Sequence, residues 1–302
     1  MNENITKPLG FGAILDQTFR IIKSNFKPLF MITFFVMVPI FALQSLILSL
    51  TGRDLIVSGD PGQNLIEQLI TGADSVVNTT IQEDLISAFV NLLILFATPI
   101  LAGAITWAVK YARDGKDLLA KEMIIKTLPR YWPLLGSTLL FGLITFALLL
   151  PCFIIIGLTS VTFMFVDPIF GFGIMMLFSL GIFIGLGLLL TKWSLYLPAV
   201  LFDEVAPGLS KSWRLTKKQT WKFFGLFIVL FIITTIISSI LQLPLIFLGN
   251  SVLFQLLTKV ISLITSIVFT VGYAVMYLDA SVRQEGTDLK EMIKEYEVTE
   301  ES

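Results

Sequence analysis

The residues able to do chemistry are few and poorly placed for it. The sequence has no histidine and a single cysteine, Cys152, set in an apolar run. The commonest general base and the usual zinc ligands are therefore missing, as is any intrachain disulfide. There are 22 carboxylate side chains, yet none pair within an apolar stretch as acid–base hydrolysis needs. Asp203-Glu204 and the acidic run 285–301 read as solvated charge, and no phosphate-binding or dinucleotide-binding glycine loop occurs. These residues predict no enzyme, cofactor or metal. Lys259 lies well inside an apolar stretch, where an ionisable group is by default a candidate functional residue. The 20 residues from Lys259 to Leu278 suffice to cross a bilayer, so its stem is expected to reach the outer interface. Asp167, in a turn at the same level, is its candidate outer-face partner.

The elements that carry these residues are apolar. Of 302 residues 55% are hydrophobic and 14% charged, with a mean hydropathy of +0.86, whereas a soluble domain carries about a quarter charged residues. Water cannot be the solvent on all sides. Six stretches reach the roughly 20 apolar residues that a crossing helix needs, at 29–50, 85–109, 134–158, 169–191, 223–249 and 252–278. The expected fold is an all-α integral membrane protein, one polytopic domain over 1–302 with an acidic tail at 279–302. The first stretch begins too far in, and is too long, for a signal peptide.

Basic residues set the orientation, because cytoplasmic loops retain them. All but Arg53 and Lys259 of the 21 Lys and Arg fall on one side of the six-span layout, and the five tryptophans cluster near that side. The sequence therefore predicts a multi-pass plasma-membrane protein with both termini cytoplasmic and the acidic 51–84 loop outside. Asn78-Thr79-Thr80 in that loop fits the short glycosylation pattern. A net charge of -1 gives no reason to expect nucleic acid.

An amphipathic segment precedes each odd-numbered span. In the first, Phe11, Leu15, Phe19, Ile22 and Phe26 share one face while Asp16, Arg20, Lys23 and Lys27 point elsewhere, the pattern of a helix lying in the interface. Ser212-Trp213-Arg214-Leu215 repeats Thr18-Phe19-Arg20-Ile21, and Lys126-Thr127-Leu128 to Trp132 is a weaker middle copy. Two accounts stand: three repeated units of interfacial helix plus hairpin, or basic stubs that recur because orientation requires them. The candidate lipid-facing residues are Lys211, Trp213, Arg214, Lys217, Lys218, Arg20 and Lys23, with anionic lipid as the expected partner, a protein partner left open. Pro39, Pro99, Pro151 and Pro244 interrupt spans, and Gly181 and Gly185 form a spacing that permits close helix packing.

Two stretches carry a family likeness. Lys192-Trp193-Ser194-Leu195-Tyr196-Leu197-Pro198, then Asp203-Glu204, then the run from Leu209 to Thr216, resemble the signature loop of the glycerophosphoryl diester phosphodiesterase membrane domain family. Tyr277-Leu278-Asp279 followed by Val282-Arg283-Gln284-Glu285-Gly286 is similar to that family's ending, although Ala280 and Ser281 stand where the family has a basic residue. The resemblance implies a membrane module that in some proteins precedes a phosphodiesterase barrel and otherwise stands alone. The barrel needs roughly 200 residues or more, and the longest polar segment here is the 51–84 loop, so the module is expected to stand alone. The leading expectation is a non-catalytic scaffold or accessory protein with a basic cytoplasmic collar. The alternative is a small-molecule or lipid transporter, favoured by the hairpins and prolines and opposed by the lack of buried charge; a lipid-modifying enzyme comes third.

Overall fold

A computed structural model describes residues 9–50, 81–166, 168–248 and 251–300. These are helical without a strand, since a helix satisfies its backbone groups within one segment and hydrocarbon offers no substitute. In chain order the α-helices are α1 (Phe11–Ser24), α2 (Phe26–Leu50), α3 (Ile81–Arg113), α4 (Ala120–Thr127), α5 (Tyr131–Val166), α6 (Pro168–Ser194), α7 (Tyr196–Phe202), α8 (Leu209–Thr216), α9 (Thr220–Gln242) and α10 (Val252–Glu300). Six regions, carried by α2, α3, α5, α6, α9 and α10, are long and apolar enough to cross a membrane, and each overlaps one expected span. The chain is a multi-pass membrane protein.

A short helix precedes each pair of long ones: α1 before α2 and α3, α4 before α5 and α6, α8 before α9 and α10. Each short helix also buries a threonine whose hydroxyl donates to the carbonyl four residues back. Thr18 donates to Ile14 at 2.7 Å, Thr127 to Met123 at 2.9 Å and Thr216 to Ser212 at 2.9 Å. Both members of every pair are fully buried.

The described parts of Leu9–Pro129 and Ile228–Val275 form one compact unit. Its core is built where small residues let backbones approach, at Ala104 and Ala108 of α3, beside Ile105, Leu29, Ile32 and Met123. Helix α1 has two apolar faces. Ile14, Thr18 and Ile21 are buried, while Phe11, Phe19 and Phe26 of the stripe read from sequence stay exposed, as expected of residues that meet lipid. Gly272 of α10 packs against Leu230 of α9, where an added Cβ would stand 2.6 Å from a leucine methyl.

Arg130–Phe227 with the described part of Met276–Ser302 form the second unit. The segment after α6 folds as the helix α7, buried throughout from Tyr196 to Leu201. Pro198 is admitted because it sits in the first turn, where its missing N–H would have had no partner. Tyr196 stacks on Phe141 of α5 with centroids 4.9 Å apart, and its hydroxyl donates to Thr138 at 3.1 Å. Gly187 of α6 lies so close to Phe224 that a Cβ would overlap the ring, whereas Gly181 and Gly185 have nothing within 4 Å. The close packing expected at the latter pair is thus found two residues beyond Gly185, at Gly187.

Pro39, Pro99 and Pro151 lie inside continuous helices. Pro244 does not: α9 ends at Gln242 and the chain continues as a 3-10 segment, Leu243–Leu248, because proline disfavours the α conformation in the residue before it. The outer loop up to residue 80, Asn78 included, and Asp167 lie outside the described residues. The acidic tail continues helix α10 to Glu300.

Two glycines hold left-handed turns, Gly115 at φ 69° and Gly208 at φ 72°. An added Cβ has open space at Gly115 but stands 2.6 Å from the Tyr196 carbonyl oxygen at Gly208. Gly115→Ala should cost only the backbone term of roughly 1–2 kcal/mol. Gly208→Ala should cost distinctly more and lower the unfolding midpoint further, read by thermal unfolding in detergent micelles.

Candidate functional site

Charge and hydrogen-bonding side chains of the second unit gather where α6 ends and α9 begins. A helix leaves its last carbonyls without intrahelical partners, and here side chains of α8 supply them. The Lys192 carbonyl accepts from Ser212 Oγ at 2.9 Å and from Thr216 Oγ1 at 3.2 Å, while Ser212 Oγ accepts the Leu195 N–H at 2.9 Å. One buried serine thereby closes the α6 terminus and anchors α8. The Lys192 ammonium then lies 4.4 Å above the Trp213 ring, and Trp193 packs against Trp213 at 5.6 Å between centroids.

The turn from Asp203 to Gly208 is tied on both sides. Asp203 accepts from the Tyr277 hydroxyl of α10 and pairs with Lys211 Nζ at 3.0 Å. Glu204, a non-glycine residue in the left-handed region at φ 60°, pairs with Arg130. Phe202 lies against the Tyr277 ring with centroids 6.0 Å apart. Asp203, expected as solvated charge, thus latches the α7–α8 turn to α10, while Glu204 remains exposed and ties the turn to Arg130. Sequence could not reveal this because Asp203 and Tyr277 are 74 residues apart.

Asp279 departs further from expectation. A charge at a span end is ordinarily solvated, yet this side chain is 0% exposed and accepts from both Lys222 Nζ and Arg283 Nε at 3.0 Å. Arg283 comes from one turn along α10, a spacing legible in sequence. Lys222 comes from the start of α9, which only the fold brings near.

The candidate lipid-facing residues take different positions. Lys211 is committed to Asp203. Trp213 is half-buried, while Arg214, Lys217 and Lys218 are exposed along α8 and the turn after it. Arg20 and Lys23 belong to α1 in the other unit; both are exposed, and Arg20 pairs with Asp16 at 2.8 Å. Lys259 is half-buried with its ammonium 5.8 Å from the Phe41 ring centroid. Among the described residues no group of three His, Cys, Asp or Glu side chains is placed to hold a metal.

Compared with family models, curated proteins and solved structures, the chain matches none.

Removing one partner of a buried ion pair leaves the other charge uncompensated, which costs about 3–5 kcal/mol when fully buried and less where solvent reaches the partners. Asp279→Ala should therefore destabilise by roughly 2–3 kcal/mol, and Asp279→Asn by less. Lys222→Met should cost less in the Asp279→Ala background than alone, a non-additivity measured by a double-mutant cycle of unfolding free energies.

Proposed function

We propose that this protein is a non-catalytic scaffold or accessory protein of the plasma membrane, with its basic end on the cytoplasmic side against anionic lipid. The observation that carries the reading is the division of polar groups between spans and ends. Six threonine hydroxyls within the spans are used by their own helices: Thr33, Thr98, Thr106, Thr145, Thr234 and Thr265 each donate to the carbonyl four residues back, whereas the buried Thr258 hydroxyl has no hydrogen-bond partner among the described residues. The bonded hydroxyls offer little to a solute in transit. Lysine and arginine collect instead at span ends, where juxtamembrane basic residues gain about 1 kcal/mol each from an anionic surface.

Kinship with the glycerophosphoryl diester phosphodiesterase membrane domain family is part of the proposal. Its support is that the stretches bearing the resemblance contact one another, through Ser212 on the Lys192 carbonyl and Tyr277 on Asp203. A transporter remains the second reading, supported by the break at Pro244 and the three prolines inside spans.

Thiol labelling tests the orientation. In a Cys152→Ser background, Ser75→Cys should react with an impermeant maleimide from outside and Lys218→Cys should be protected in intact cells. Lys218 suits this reporter role because it is exposed, whereas Ser212 is fully buried and would be protected on either side. The opposite labelling pattern overturns the collar. Purified protein supplied with divalent metal should leave glycerophosphodiesters intact; turnover that follows the protein and vanishes with Asp203→Asn overturns the non-catalytic assignment.

A further inference from the structure

A cleft of about 450 Å³ opens between the end of α6 and the turn that leads into α9. Four lysines line it, Lys192, Lys217, Lys218 and Lys222, and no lining side chain is acidic. Leu188 provides an apolar wall, and Trp221, 68% exposed, stands at the rim. The volume falls within the range of small-ligand sites.

The four ammonium groups are not equivalent. Lys192 rests over Trp213, and Lys222 reaches Asp279, so both are held in place by neighbours. Asp279 is shared between Lys222 and Arg283, so this carboxylate offsets only part of the positive charge around the cleft. Lys217 and Lys218 are exposed, and among the described residues neither forms a salt bridge. Like charges gathered at this density repel one another, and an anion with several oxygens relieves that repulsion. Lysine suits phosphate as a point charge with three donors.

We propose that this cleft binds a negatively charged phosphate group, presented by a lipid headgroup or as a free phosphate. The proposal deepens the collar reading and rests on it for the side of the membrane concerned. The collar treats the basic residues as a diffuse surface, whereas the cleft makes particular lysines matter. Leu188 and the exposed indole of Trp221 give a lipid-borne phosphate an apolar flank, and indoles favour the headgroup level of a bilayer.

The test uses the full chain in neutral phosphatidylcholine nanodiscs, titrated calorimetrically with inorganic phosphate, with dihexanoyl phosphatidic acid, and with dihexanoylglycerol as the phosphate-free control. Saturable binding of about one phosphate ligand per chain is expected. It should weaken at least about tenfold, or 1.4 kcal/mol, in Lys217→Gln/Lys218→Gln. It should be unchanged in Lys23→Gln/Lys27→Gln, which removes two exposed lysines, one from the end of α1 and one from the start of α2. Unfolding midpoints of both variants should match the parent, since these side chains are exposed; if the pair does lower stability, Lys218→Gln alone serves.

Saturation by phosphatidic acid without inorganic phosphate binding assigns the ligand to a lipid. Comparable binding of inorganic phosphate assigns it to the phosphate group alone, and both results support the cleft. Absence of binding by either phosphate ligand overturns it, as does equal weakening in the two variant pairs, which would mark a diffuse charge effect. Reversed thiol labelling would overturn the collar while leaving calorimetric binding intact, so the two failures are distinguishable.

Discussion

Hydrocarbon offers a polypeptide no hydrogen bonds, and this constraint governs where polar atoms in the chain sit. Within the spans the solution is largely local: threonine hydroxyls such as those of Thr33, Thr106 and Thr145 turn back on their own helix and apolar side chains face outward. Phe35, Leu143, Phe153, Leu177 and Phe231 are all exposed, a surface that water would not tolerate over such an area. The short helices obey the same constraint, each burying a threonine bonded to its own backbone.

At the helix ends the solution becomes non-local. Carbonyls at the C-terminus of α6 lie beyond the reach of intrahelical donors, and Ser212 and Thr216 arrive from another helix to satisfy one of them. The fit is demanding, because α8 must approach closely and the chain must turn sharply before it. Gly208 permits that turn with a left-handed backbone pressed against the Tyr196 carbonyl. The buried helix α7 then fills the space that an extended loop would leave polar. Asp203 and Glu204 secure the turn from either side through Lys211, Tyr277 and Arg130.

Buried charge is used sparingly and always with partners among the described residues. Asp279 is withdrawn from solvent, and two cations meet it, one from its own helix and one from α9. Such an arrangement gains little net stability over an apolar substitute, yet losing one member is costly, so it specifies which ends meet. The same economy leaves Lys217 and Lys218 without salt bridges among the described residues, and their charge is directed at the surroundings rather than at the fold.

Sequence alone determined the solvent, the element type and the approximate position of all six spans, because these follow from the density of apolar residues along the chain. It also pointed to the short amphipathic helices α1 and α8, whose periodicity is local, whereas the middle copy read at 126–132 falls mostly past α4 (Ala120–Thr127). Tertiary structure decided what the polar residues do. Asp203 with Tyr277, Lys222 with Asp279, and Ser212 with the Lys192 carbonyl are joined across 20 to 74 residues, and no local pattern announces such pairs. It likewise decided which small residues mattered: the Gly181 and Gly185 spacing was visible but open, whereas Gly187, Ala104 and Ala108 were chosen by the approach of a neighbouring surface. Spacing along one helix states what contact is possible, and only the packed partner determines whether it is made.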